Sequence, residues 1–351
     1  ERAILFAYFF FTTLMTGFIY PTVVHWVWSD NGWLVNLDYI DFAGSSVVHC
    51  VGGTAALVGA IIVGPRIGRF EGLVINPMPG HSVVLVALGF FILWFGFFAF
   101  NAVSEGGIVG DGFNVENVER AVVNTSLSAV ASIISSLFIL KIGISRVERV
   151  MFGRELRYIT LFGQPWSIIG AMNGGLTGMV AICGGAFGYE PWAGFVIGLI
   201  AGAVYTFGAR LLLFLRVDDP LEAAAVHLGG GIWGSLAVGL FLNSDRTSSL
   251  PDGGILYAWN TKAFVQFGIQ AIGVTVIILW SALLCGLLFG FLRLIGMIRC
   301  SPETEKEGLD YKDGEPAYPV DPAIFNQSRT ATMSSKEYSD SSREDYLMYE
   351  D

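Results

Sequence analysis

The 351-residue sequence predicts an all-α polytopic membrane protein, and three observations carry that prediction. Hydrophobic residues make up 53% of the chain, charged residues only 14%, and the mean hydropathy is +0.60, which is too apolar for a soluble globular protein. Apolar stretches long enough to cross a hydrocarbon layer of about 30 Å recur along its length. One of those stretches, around His49, is repeated around His227 with the same punctuation.

The spans fall near residues 3–24, 41–63, 82–104, 120–141, 165–187, 191–215, 220–242 and 264–297, which predicts eight helices. The 44 glycines fit such a bundle, because membrane helices pack through small residues where water cannot drive association. The first residue is Glu1 rather than Met and an apolar span opens at Ala3, so the sequence is expected to begin inside a longer protein. That span is too long, and lacks the basic leader, for a signal peptide.

After the first span comes WVWSDNGWLVNLDYID (26–41), read as a loop rich in Trp and Asp. Trp26 and Trp33 read as interfacial belt residues, and Trp28 as either a belt residue or a cation-π face. The third span, LGFFILWFGFFAFNAVSEGG (88–107), carries an aromatic stripe that reads as lipid-facing or packed. Near its end Ser104 either bonds its own helix or presents its hydroxyl to a ligand. The small-residue run IIGAMNGGLTGMVAICGGAFG (168–188) reads as a packing interface, since no strand precedes its glycines as a dinucleotide loop requires.

Cys50, Cys183, Cys285 and Cys300 are scattered singly and form neither a disulfide framework nor a CxxC metal site. Beyond Ser301, about 13 acidic and 5 basic residues account for most of the net charge of -10. The predicted organisation is a membrane domain over 1–300, a cytoplasmic tail stretch over 301–318 and a disordered, acidic, Ser-rich tail over 319–351. No cofactor, enzymatic activity or nucleic-acid partner is expected; the lipid bilayer is.

Loop charge predicts orientation. Arg2, Arg66, Arg69, Lys141, Arg146, Arg149, Arg154, Arg157, Arg210, Arg216, Arg293 and Arg299 fall on one side of the alternating count, against Arg120, Arg246 and Lys262 on the other. The positive-inside rule makes the first side, and the C-terminal tail, cytoplasmic. The His49 helix then enters from outside and the His227 helix from inside.

The repeat itself is DFAGSSVVHCVGG (41–53) against DPLEAAAVHLGGG (219–231). In each, an Asp (Asp41, Asp219) precedes the His (His49, His227) by eight positions, and glycines follow at the third and fourth (Gly52, Gly53; Gly230, Gly231). An ionisable group inside a span is costly and marks a functional site. If each Asp opens its helix, eight residues carry each His roughly 12 Å inward, so the two would lie within roughly 6 Å of each other in depth. That is the layout of inverted-repeat membrane proteins with a site between two halves. Interhelical hydrogen bonding is the plainer reading of a lone membrane His; the matched spacing and opposed directions favour a site. A zinc enzyme is a rival reading, but it would need a third ligand, and His25 and His81 lie near opposite faces with no HExxH motif.

Taken together, these residues resemble the ammonium transporter (Amt/Mep/Rh) family, the Amt branch more than the Rh branch. DFAGSSVVH (41–49) is similar to the family's D-F-A-G-G-x-V-V-H, departing at Ser45, where a small residue replaces a small one and no loss is expected. LWFGFFAFNAVS (93–104), DDPLEAAAVH (218–227) and EKEGLDYKDGEPAY (305–318) resemble further family elements. The resemblance implies an ammonium-transporter-type inverted-repeat bundle of eleven helices, of which eight have counterparts here and the first three do not. It also implies assembly as a homotrimer in the plasma membrane.

By the same resemblance, Trp28 and Ser104 would bind ammonium at the external mouth, Asp41 would shape that mouth, Phe100 would be a gate, and His49 and His227 would line the pore. The tail departs from the family pattern at Asp313, and its 305–318 stretch holds no Ser or Thr. The implied function is recruitment of ammonium, or of methylammonium in its place, then deprotonation and passage of ammonia between the histidines, with or without the separated proton. An alternative is an ammonium sensor signalling through its tail to a cytoplasmic regulator.

Overall fold

The computed structural model describes residues 2–72, 74–106, 114–142, 166–246 and 253–309. Arg2–Cys300 form one compact unit. The unit that includes Ser301 onward is described only to residue 309, where the Ser301 hydroxyl accepts from Thr304 N and opens the short helix Pro302–Glu307. The predicted tail beyond that point lies outside the described residues.

The larger unit is built from eight described long helices: α1 (Leu5–Trp28), α2 (Ser45–Val63), α3 (Val83–Val103), α4 (Val115–Ile142), α5 (Ile168–Ile182), α6 (Pro191–Phe214), α7 (Ala224–Phe241) and α8 (Thr261–Leu294). Seven are long and apolar enough to cross a membrane, while α5, at 15 residues, is apolar but shorter. Outward-facing side chains such as Phe9, Phe95 and Leu279 are 65%, 77% and 62% exposed, a surface suited to lipid.

Several boundaries differ from the sequence expectation, each for a local reason. α1 continues to Trp28, so Trp26 and Trp28 stand on a helix rather than in a loop. Pro21 does not end it, because a π-helical turn at Met15–Ile19 widens the backbone just before the ring. α5 stops at Ile182, five residues early. There Cys183 N turns to Val180 O, and the carbonyls of Cys183 and Gly184 accept from Ala43 N and Phe42 N, both at 2.9 Å. Irregular backbone at this depth is tolerated because another segment of the protein satisfies it.

The small-residue run on α5 packs as expected. Ser128, Ser132 and Ser136, one turn apart on α4, donate to the carbonyls of Gly178, Gly174 and Gly170 at 2.7, 2.5 and 3.3 Å. The descending order of the acceptors makes the two helices antiparallel. Gly194, Gly198 and Gly202 of α6 close on Asn124, Ser128 and Ser132, so three helices meet along one seam of small and hydroxyl side chains.

α2 and α7 run in opposite directions. Arg66, just past the end of α2, is bonded to Asp218, which precedes α7. At the other end Gln270 of α8 joins Ile40 O, ahead of α2, to Ser235 O within α7, at 2.7 and 3.1 Å.

Among the described residues the charges segregate as the loop count predicted, while its Arg146, Arg149, Arg154 and Arg157 lie outside the described residues. One end gathers Arg2, Arg66 and Arg69 around Asp218, with Arg299 on the carbonyls of Val63 and Pro65. A two-stranded antiparallel hairpin, Phe70–Glu71 with Val74–Ile75, follows Arg69 at this end. The opposite end holds the Glu116, Arg120, Glu190 and Arg246 network.

Candidate functional site: a histidine pair between opposed helices

Both histidines stand in π-helical turns, Ser45–Cys50 and Ala224–Gly229, that open α2 and α7. The repeat seen as residue spacing is therefore also a repeat of backbone geometry, of a kind concentrated at functional sites. The expectation that each helix begins at its Asp is corrected. Asp41 and Asp219 stand four and five residues ahead of the helices and cap them from outside. Each His consequently lies within the first two turns of its helix rather than eight residues down it.

Asp41 shows how the cap works. Its Oδ1 accepts from Gly44 N and Ser45 N at 3.0 and 2.8 Å, and its Oδ2 from Ser46 N, Ser46 Oγ and Val47 N at 2.7, 2.6 and 2.9 Å. Both oxygens are consumed, and the residue is only 4% exposed. Such a carboxylate fixes the free amides of a helix start and has no oxygen left to present outward. Gly44, at φ +102°, makes the turn between cap and helix. Asp219 repeats the role, its Oδ2 accepting from Ala224 N at 2.7 Å.

The two π turns bring the imidazoles together. Nδ1 of His49 and Nδ1 of His227 are 3.3 Å apart, and the rings lie almost parallel, at 11° with centroids 5.3 Å apart. The glycines of the repeat permit this. A Cβ at Gly53 would strike the main chain of Leu228, and one at Gly231 would strike Ser45 O and Cys50. The backbones thus touch where the side chains meet.

Around His49 the ring of Phe97 stacks at 5.7 Å and 21°, Phe100 leans in at 5.6 Å, and Cys183 Sγ lies 3.7 Å from Nε2. Trp28 donates its indole N–H to Asp41 O at 2.6 Å while remaining 42% exposed, so its ring is tethered yet accessible. The Ser104 hydroxyl donates to Phe100 O at 2.8 Å, one turn back along its own helix. That bond uses the hydroxyl's one proton and leaves its lone pairs for an incoming donor.

The structure therefore places His49, His227 and Phe100 in one cluster, Trp28 and Asp41 in a second that opens α2, and Ser104 on the turn that carries Phe100. Sequence reasoning missed Phe97 and Cys183. Phe97 was legible as the i−3 neighbour of Phe100, hence on the same helix face. Cys183 was not, because it reaches His49 only where α5 ends. Ser45 also does more than fill a small space, since its hydroxyl donates to Val180 O at 2.8 Å and ties α2 to the end of α5.

A helical membrane unit in which opposed helices deliver a pair of imidazoles, His49 buried and His227 half-buried, defines an integral membrane protein of the inverted-repeat type. A model of the Ammonium Transporter Family matches residues 1–318, and the chain belongs to that family. It is 38% identical over 339 residues to putative ammonium transporter 1 of Caenorhabditis elegans, covering 91% of this chain and 59% of that protein. With ammonium transporter 1 member 3 of Solanum lycopersicum it shares 39% identity, over 88% of this chain and 68% of the tomato protein. Among solved structures it is similar to a sensor Amt protein, at 32% identity and TM-score 0.73, over 88% of this chain and 70% of that one. It is also similar to Saccharomyces cerevisiae Mep2, at 28% identity and TM-score 0.70, over 86% of this chain and 62% of Mep2. The chain thus spans about three fifths to two thirds of the length of these two curated relatives.

Proposed function

We propose that this protein moves ammonium-derived nitrogen across a membrane. The observation that carries the reading is the His49–His227 pair, 3.3 Å apart between opposed helices and walled on one side by Phe97 and Phe100. Ammonium and potassium are alike in size and charge, so a fitted hole would leak the commoner ion. Only ammonium donates directed hydrogen bonds and can surrender a proton. The accessible ring of Trp28 supplies cation-π attraction, and the lone pairs of Ser104 accept an N–H. Past Phe100 the surroundings are apolar, and desolvation there disfavours the charged form. Neutral ammonia then passes along the imidazoles, whose ring nitrogens donate or accept in turn.

In this reading Asp41 shapes the outer mouth without touching the cation. The arginine-rich end faces the cytoplasm, residues 1–300 are the membrane domain, and the 301–318 and 319–351 stretches are cytoplasmic tail. The protein assembles as a homotrimer in the plasma membrane. The test is uptake of ammonium or methylammonium by the full-length protein carrying His49→Ala or His227→Ala. Uptake is expected to fall sharply with protein still at the membrane; unchanged uptake in both variants defeats the proposal.

Similarity to a protein described as a sensor Amt favours a second reading, in which the acidic tail signals to a cytoplasmic regulator and transport is weak. Comparing wild-type uptake with that of a tail truncation separates the two.

A further inference from the structure

The contacts of Cys183 carry an inference about where the protons of the histidine pair reside. Cys183 caps α5, and its backbone N–H turns to Val180 O at 3.3 Å. Met179 O, the acceptor that this amide would serve in a continuing helix, instead lies 3.1 Å from the Cys183 sulfur. A carbonyl oxygen can only accept, so the thiol proton is committed to Met179 O and drawn away from His49, whose Nε2 is farther off at 3.7 Å.

We infer that Cys183 is a positioning residue that selects one tautomer for the histidine pair. With its proton committed elsewhere, the sulfur can only accept, so His49 Nε2, at 3.7 Å, carries a hydrogen and donates to it. A neutral imidazole has one N–H, so His49 Nδ1 is bare. The Nδ1-to-Nδ1 contact needs one donor, and His227 Nδ1–H supplies it. His227 Nε2 is then the single bare ring nitrogen not already engaged within the pair. The pair acquires a direction, with its donor end at the sulfur and its acceptor end at His227 Nε2. Phe97, stacked on His49, holds the ring plane that this chain of bonds requires.

The inference rests on the proposed transport function only for its consequence, and its test does not use transport. The full-length protein, labelled with ¹⁵N at histidine and reconstituted in lipid, is read by solid-state NMR. In the wild type, His49 Nε2 and His227 Nδ1 are expected to give protonated-nitrogen signals, and His49 Nδ1 and His227 Nε2 unprotonated ones. Cys183→Ala removes one weak hydrogen bond, so the preference for this tautomer should fall by roughly two- to tenfold and signals of the reversed pair should appear. Cys183→Ser, whose hydroxyl can also donate to Met179 O and accept from Nε2–H, should restore the wild-type pattern. A protonated His49 Nδ1 in the wild type overturns the inference even if neither variant folds. So does a Cys183→Ala spectrum indistinguishable from wild type.

Discussion

Gly53 of α2 rests directly on the main chain of Leu228, the residue that follows His227. The obstacle is backbone, which cannot swing aside as a side chain can. Any substituent at Gly53 must therefore push the two π turns apart and lengthen the contact between the imidazoles. Gly53→Ala is expected to cost about 1–3 kcal/mol of stability, as overpacking of a filled site does, and to depress uptake. Gly52, whose Cβ would meet nothing within 4 Å, supplies the control. Thermal unfolding and methylammonium uptake of the two alanine variants should diverge; equal behaviour would show that the close approach at Gly53 is unimportant.

Asp41 is expected to act through architecture. Asp41→Ala leaves the amides of Gly44, Ser45, Ser46 and Val47 without their shared acceptor. A hydrogen bond to a charged group is worth about 1.5–3 kcal/mol, so the variant should lose at least about 2 kcal/mol and populate the membrane poorly. Asp41→Asn keeps the shape but turns an N–H₂ toward amide donors, and should fall between the alanine variant and wild type. A melting-temperature series on the purified variants checks the order.

Ser45→Ala removes the bond to Val180 O while keeping most of the volume. The expected loss is about 0.5–1.5 kcal/mol with uptake largely retained, because the histidine contact does not pass through this hydroxyl. Loss of uptake at wild-type stability would contradict that assignment.

Asp218 predicts an acid limit to stability. Burial alone would push its carboxyl up, but hydrogen bonds from the Arg66 side chain and backbone, with the charges of Arg66 and Arg2, hold it below the usual carboxylate range. A group whose folded pKa lies below its unfolded one stabilises the fold fully above the unfolded value. The cluster's contribution is thus intact at neutral pH and is lost as pH falls through the folded value. Asp218→Asn should flatten that acid limb. It should also lower stability at neutral pH by about 3–5 kcal/mol, because three arginines lose their buried counter-charge. Melting temperatures of both proteins from pH 7 downward test the sign.

Much of the fold was legible in residue order. Apolar spans end where charges begin, so eight helices could be placed within a few residues, and loop arginines alone sorted the two ends. The Asp-to-His spacing, repeated on helices of opposite sense, was enough to nominate His49 and His227 as partners. Boundaries failed where the backbone is irregular. The early end of α5 depends on bonds to residues far off in the chain, such as Ala43 N to Cys183 O.

Sequence by itself determined the class, the helices, their alternation and the identity of the paired imidazoles, because bilayer thickness, desolvation cost and helical rise act on local composition. Only the tertiary structure decided that the rings meet through Nδ1, that Phe97 and Cys183 flank His49, and that Asp41 is fully consumed as a cap. Those are matters of a few tenths of an ångström between separate segments. They are settled by which buried donors find acceptors once glycine lets two backbones touch, and no spacing along one chain encodes that outcome.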